Sequence, residues 1–136
     1  MALLEKHLVV KRSSLRNAGK GLFTTQNIVR GERIVEYRGR IRTWKEIKDE
    51  PEFNGYIFYI NRNHVIDAKK TRLSTAHYAN DAKGLSNKTG LRNNAKYEQV
   101  GKRVYITATR NIPAGSEVFV GYGKEYWDAV RENFLL

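Results

Sequence analysis

The amino-acid sequence predicts a mainly-β domain. Three observations lead there. Runs of β-branched and aromatic residues recur along the chain, Gly, Asn and Pro punctuate them at short intervals, and helical patterns are few and short.

The elements follow in order. Leu8-Val9-Val10 is a short strand, and the Asn- and Gly-bearing stretch from Arg16 to Lys20 turns the chain into a second, Gly21 to Thr25. Asn27 to Gly31 connects to the strand Ile34 to Tyr37. Trp44 to Asp49 is a short helix stopped by Pro51. Tyr56 to Ile60 has strand composition, and a turn at Asn61 to Asn63 leads to its hairpin partner, His64 to Ala68. Ser74 to Ala79 allows one or two helical turns, and the polar stretch from Ala82 to Asn94 is a surface loop. Val104 to Thr109 and Glu117 to Val120 are further strands around a turn at Pro113-Ala114-Gly115. Lys124 to Phe134 is a helical tail. Asn27-Ile28-Val29-Arg30-Gly31 and Asn111-Ile112-Pro113-Ala114-Gly115 echo one another, as one kind of strand connection used twice, with glycine supplying a positive-φ turn position.

At 136 residues the chain suits a single domain, 1–136. It has no cysteine, which excludes disulfides, thiol nucleophiles and thiolate zinc sites. His7, His64 and His77 show no ligand spacing, so no metal is expected. The apolar stretch at the N-terminus is broken by Glu5, Lys6 and His7, so a soluble, intracellular protein with no membrane contact is expected. The net charge of +11 points to an acidic partner or to a solvated lysine-rich surface.

Four segments carry chemistry. Asn17-Ala18-Gly19-Lys20-Gly21-Leu22-Phe23 holds a G-x-G, which lets backbone pass close to a ligand but serves equally in an ordinary hairpin turn. It is no dinucleotide fingerprint, since a strand follows it. The second is Gly31-Glu32-Arg33-Ile34-Val35-Glu36-Tyr37-Arg38-Gly39, the third Ala76-His77-Tyr78-Ala79-Asn80-Asp81-Ala82. The fourth runs from Ala108 through Gly115 to Phe119-Val120-Gly121-Tyr122-Gly123, with Tyr126-Trp127 beyond.

In that order, with Ile66-Asp67-Ala68 between them, these segments resemble the SET-domain family of protein lysine methyltransferases over about residues 8 to 127. The chain looks most like the minimal, free-standing SET proteins of viruses and microbes, without the cysteine-rich zinc-binding flanks of many relatives. The resemblance implies a β-clip-like SET fold: several small curved sheets around a threaded C-terminal segment, with short helices. It implies S-adenosyl-L-methionine (S-adenosylmethionine) as cofactor, entering from one face, and a protein substrate, most readily a histone, presenting its lysine from the other.

The same resemblance assigns residues. Tyr122 would be the active-site tyrosine, and Tyr56 would line the channel beside the methionine part of the cofactor, with Phe58 and Val120 as further channel residues. Gly19, Lys20, Gly21 and Leu22 would touch the cofactor through backbone atoms, Tyr78, Asn80 and Asp81 would lie at its amino-acid end, and Tyr126 and Trp127 would cover the adenine. Position 120 influences methyl number in the family, and a valine there leaves room, so more than one methyl is expected. Three positions depart from the pattern: Asp81 stands where relatives have histidine, His77 where they have arginine, and Gly121 where they have aspartate. Asp81 is expected to weaken or remodel cofactor binding.

The reaction needs a neutral amine, and lysine ordinarily ionises near 10.4, so an apolar channel that lowers this value is required. Alignment of the reacting atoms is the remaining task. The charge suggests docking on DNA or a nucleosome through Lys69, Lys70, Arg72, Lys83, Lys88, Arg38, Arg40 and Arg42, which salt should weaken. A monomer or homodimer is expected, in the nucleus if the source is eukaryotic or viral and otherwise in the cytoplasm. Two other readings fit the residues: a SET domain without activity, and a basic β-rich module that binds nucleic acid.

Overall fold

The computed structural model describes residues 3–83 and 90–134. Among the described residues, nine short strands form three small antiparallel sheets. In the first, β2 (Lys20–Thr24) lies between β1 (Leu8–Arg12) and β9 (Glu117–Val118). In the second, β8 (Arg103–Ala108) lies between β3 (Arg33–Glu36) and β7 (Ala95–Val100). In the third, β6 (His64–Asp67) lies between β4 (Arg40–Arg42) and β5 (Ile57–Asn61). The predicted pairing of Tyr56–Ile60 with His64–Ala68 is the β5–β6 hairpin, and β4 occupies the other edge of β6.

The sheets share one core. Leu22, Ile34, Val35, Ile66, Val104, Ile106, Val118 and Val120 are buried in it, and each such side chain contributes about 1.5–3 kcal/mol on leaving water. α1 (Trp44–Lys48) starts where predicted, because Thr43 and Glu46 form a reciprocal capping box. The stretch expected to hold one or two helical turns contains a 3-10 turn over Ala76–Tyr78, and the tail is α2 (Lys124–Phe134). β4 and β7 are absent from the expectations above. Arg40-Ile41-Arg42 and Ala95-Lys96-Tyr97-Glu98 are mostly polar, and their extended form comes from pairing with β6 and β8. The predicted loop from Ala82 to Asn94 lies partly outside the described residues, and Lys88 with it.

The two echoing segments are paired with each other. Ile28 and Ile112 exchange both backbone hydrogen bonds at 2.8 Å. Asn27 accepts from the Ala114 N–H, and Asn111 accepts from the Arg30 N–H, each at 2.8 Å. Gly31 and Gly115 take φ of +93° and +87°, as the sequence requires.

The C-terminal stretch after β9 is threaded between two segments. Val120 N–H donates to Asn80 O at 2.8 Å, while Phe119 O accepts from the backbone N–H groups of Asn94 and Ala95 at 3.0 Å each. The Asn94 side chain adds bonds to Glu117 O and Phe119 N–H at 2.9 Å each. These bonds bring β9, the segment at Asn80 and the start of β7 together just ahead of Tyr122.

Candidate active site

A cleft of about 1160 Å³ is lined by Asn17, Gly19, Lys20 and Asn80, which the Asn80–Lys20 bond ties together, and by Trp44 and Tyr59, whose rings meet edge-on at 5.6 Å. That volume is ample for a cofactor-sized ligand together with an inserted side chain. Its walls come from the loop before β2, the β5 strand, the 3-10 turn, β7, the segment after β9, and α2.

Aromatic rings form a continuous section of the wall. Tyr37 is 5.8 Å from Tyr97 edge-on, and Phe58 is 5.3 Å from Tyr97. Tyr97 stacks beside Tyr122 at 6.4 Å. Tyr122 in turn meets Tyr126 at 4.7 Å and stacks with Trp127 at 5.7 Å. Such faces are apolar toward a neutral amine and attractive to a cation near them.

Tyr122 is fixed at both ends. Its hydroxyl donates to Ala79 O at 2.5 Å, and its backbone N–H donates to the Asp81 carboxylate at 3.0 Å. Burial, reinforced by Tyr126, pushes its phenol far above the ordinary value, so the hydroxyl stays protonated. Burial likewise raises Tyr37, whose hydroxyl donates to Tyr56 O at 2.8 Å. Tyr97 is raised for the same reason.

The structure brings most of the sequence-predicted residues together. Gly19, Lys20, Tyr56, Phe58, Tyr78, Asn80, Asp81, Tyr122, Tyr126 and Trp127 all line the cleft. Gly19 has φ of +69°, and Asn80 Nδ2 donates to Lys20 O at 3.0 Å, so the two loops are tied together. Tyr56 is 45% exposed at the mouth, edge-on to His77 at 5.8 Å.

Three predicted residues do not line it. Gly21 faces Glu117, and a Cβ there would collide with the Glu117 carboxylate, which Ser13 and Ser14 hold in place. Leu22 is fully buried in the core, paired between Val10 and Val118. Val120 is also fully buried in the core, with its backbone bound to Asn80. β9 ends at Val118 and Val120 is held by its own backbone bond to Asn80 O, so strand alternation does not carry residues 120 and 122 onto one face, and Val120 does not line the cleft with Tyr122. Tyr97, which no sequence motif marks, stands in the wall beside Tyr122 instead.

Tyr37 belongs to the second motif without being singled out by it, and Trp44, Tyr59 and His77 also line the cleft. The helix-start position of Trp44 and the strand position of Tyr59 carry no site signal, whereas His77 lies in the third motif. His77 packs on Tyr78 with ring centroids 4.2 Å apart, its Nδ1 is buried without a hydrogen-bond partner, and burial lowers its pKa. Arg42 is withdrawn from the predicted basic contacts, because its guanidinium is held between Asp67 at 3.0 Å and Glu50 at 2.9 Å.

Three sheets around a threaded segment, with a buried tyrosine facing an aromatic cleft, define a SET-type domain. A family model described as SET domain matches residues 19–123, and the chain belongs to that family. Among curated proteins it is 26% identical over 133 residues to histone-lysine N-methyltransferase EZH2 of Chaetomium thermophilum, covering 89% of this chain and 8% of that protein. It is 28% identical over 130 residues to histone-lysine N-methyltransferase set-1 of Caenorhabditis elegans, covering 85% and 50%. It is 25% identical over 124 residues to N-lysine methyltransferase KMT5A of Xenopus tropicalis, covering 84% and 36%. The chain thus spans half or less of these relatives' lengths. The methyltransferase domain of human PR domain-containing protein 2 has the same fold, with a TM-score of 0.62 at 19% identity, covering 87% of this chain and 78% of that one. Among the described residues no helix is long and apolar enough to cross a membrane.

Proposed function

We propose that this chain is a protein-lysine N-methyltransferase that uses S-adenosylmethionine, with a histone lysine as the first candidate substrate. The observation that carries this reading is the protonated Tyr122 hydroxyl, anchored on Ala79 O inside a continuous run of aromatic rings. The polar groups at Lys20 and Asn80 and the aromatic section suit an amino-acid head and a sulfonium. S-adenosylmethionine supplies an electrophilic methyl group when bound.

The chain's own residues do the rest. Tyr37, Phe58, Tyr97 and Tyr122 exclude water from an inserted side chain, which lowers a lysine's pKa and favours the neutral amine. The Tyr122 hydroxyl and the Ala79 carbonyl are pre-oriented dipoles that align the amine without reorganising. Tyr122 takes no proton, since its phenol is raised far from neutrality. Tyr56 and Trp44 border the mouth through which a lysine would enter.

Addition of more than one methyl does not follow from Val120, which lies in the core. Tyr97 is the wall residue whose bulk and hydroxyl would limit the count. The deciding experiment is a labelled-methyl assay on histones and mixed proteins, with calorimetry against S-adenosylmethionine. Cofactor binding with methyl transfer supports the reading, whereas binding without transfer on any substrate favours a SET domain without activity. A polyanion contact through Arg38, Arg40, Lys69, Lys70, Arg72 and Lys83 belongs to the same proposal, and salt-independent action on nucleosomes would remove it.

A further inference from the structure

Asp81 is the departure expected to weaken the site. The residue is 6% exposed, and its carboxylate gathers four hydrogen bonds. Oδ2 accepts from the Trp127 indole N–H at 2.8 Å and from the Tyr122 backbone N–H at 3.0 Å. Oδ1 accepts from the Asn93 side-chain amide and the Lys83 backbone N–H, each at 2.9 Å. Asn93 then accepts from the Ala82 N–H at 2.8 Å.

We propose that Asp81 is a positioning residue that seats α2 on the cleft through Trp127 while holding the Tyr122 backbone with the same oxygen. The chemistry of the partners carries this inference. All four groups facing the carboxylate are N–H donors. A carboxylate is acceptor-only and has lone pairs for all of them. An asparagine would turn an NH₂ toward two of those donors, and a neutral histidine offers one acceptor nitrogen. Aspartate at 81 therefore fits a chain in which an indole N–H arrives from the C-terminal helix, and Asp81 and Trp127 act as a pair. Burial alone would raise the carboxyl, but the bonds from Trp127, Tyr122, Asn93 and Lys83 outweigh it and hold it ionised.

The consequence reaches the cleft from both sides. Trp127 stacks with Tyr122 at 5.7 Å and meets Tyr126 edge-on at 5.0 Å, and Tyr126 also meets Phe53 at 6.3 Å. Freeing the indole loosens the wall that α2 provides. Freeing the Tyr122 N–H loosens the residue whose hydroxyl bonds Ala79. Trp127 thus bears on cofactor affinity, and Asp81 on affinity and turnover together.

The inference rests on the methyltransferase reading for its functional consequence, and the test separates the two. The full chain, its Asp81→Asn variant and its Trp127→Phe variant are compared by indole ¹H–¹⁵N exchange, calorimetry with S-adenosylmethionine, and kcat against KM for that cofactor. The chain has two tryptophans, and Trp127→Phe assigns the second signal by its loss. In Asp81→Asn the Trp127 indole N–H should exchange roughly tenfold faster or more, as expected on losing a hydrogen bond to a charged acceptor. Cofactor affinity should fall about tenfold with a loss in kcat, whereas Trp127→Phe should lose affinity with a smaller loss in kcat than Asp81→Asn. The double variant should bind no more weakly than Asp81→Asn alone. Unchanged indole exchange in a folded Asp81→Asn overturns the proposal. If that variant does not fold, unchanged cofactor affinity in Trp127→Phe overturns it. A wild-type chain that binds no cofactor sinks the methyltransferase reading, while indole exchange still tests the seating of α2.

Discussion

The hydroxyl of Tyr122 donates to the backbone carbonyl of Ala79 at 2.5 Å, although 43 positions separate them in the chain. This bond joins the segment after β9 to the turn before Asn80 and points the phenol into the aromatic cleft. Tyr122→Phe keeps the ring and removes the hydroxyl. Methyl transfer should fall by about 10²–10³, the usual cost of removing one pre-oriented polar group from a reaction site, while cofactor binding changes little. Single-turnover transfer and calorimetry on the same preparation check both halves.

Tyr97 stands 6.4 Å from Tyr122 in a stacked arrangement and 5.8 Å from Tyr37. Tyr97→Phe should shift the product distribution toward higher methylation states, because it removes a hydroxyl without opening a cavity in the wall. Val120→Ala should leave the distribution alone and cost stability, since that side chain is core. Mass spectrometry of the product at long times distinguishes the two positions.

Gly21→Ala should destabilise the fold by about 1–3 kcal/mol, the cost of forcing extra volume into a filled space. The new methyl falls on the Glu117 carboxylate, which cannot retreat from Ser13 at 2.6 Å and Ser14 at 2.7 Å. Gly31→Ala meets no atom but sits at φ of +93°, so its cost is backbone strain alone. Thermal melts of the two variants measure the difference.

Acid should unfold the chain in part through Asp67 and Asp81. Burial opposes ionisation of Asp67, but bonds from Asn54, Lys69 and Arg42 outweigh it and lower its pKa, as the donors around Asp81 do there. A depressed carboxyl contributes fully above its unfolded value, 3.8 for aspartate, and loses that contribution as pH falls from there through the lower folded value. The melting temperature should drop steeply below about pH 4, and less steeply in Asp81→Asn, whose neutral side chain has nothing to titrate. Scanning calorimetry from neutral pH down to the acid limb tests this.

Arg42→Ala should cost about 1–3 kcal/mol, the cost of leaving a part-buried polar group short of a partner, because Asp67 loses its charged partner but keeps its bonds from Asn54 and Lys69. Lys70→Ala should leave stability nearly unchanged and reduce the salt-sensitive part of any nucleic-acid binding. Denaturant melts and filter binding at two salt concentrations separate the half-buried arginine from the surface lysine.

Strand composition and turn residues in the sequence determined most of the strands and the short helix from Trp44, and the ordered motifs determined the family of the fold. The strand and turn signals are local: β-branched and aromatic residues at Ile34–Tyr37, a proline at Pro51, glycines at Gly31 and Gly115. The resemblance of the ordered motifs to the SET family, rather than any local pattern, marked Tyr122, Tyr56, Lys20 and Asn80. Only the tertiary structure decided which side of a strand each residue shows. Val120 turns into the core and Tyr97 toward the cleft because pairing with Asn80 and β8 sets their faces, and that pairing joins positions 40 or 9 residues apart. The same holds for Asp81. In one dimension it is a missing histidine, and its four donors come together only when residues 83, 93, 122 and 127 converge on one carboxylate.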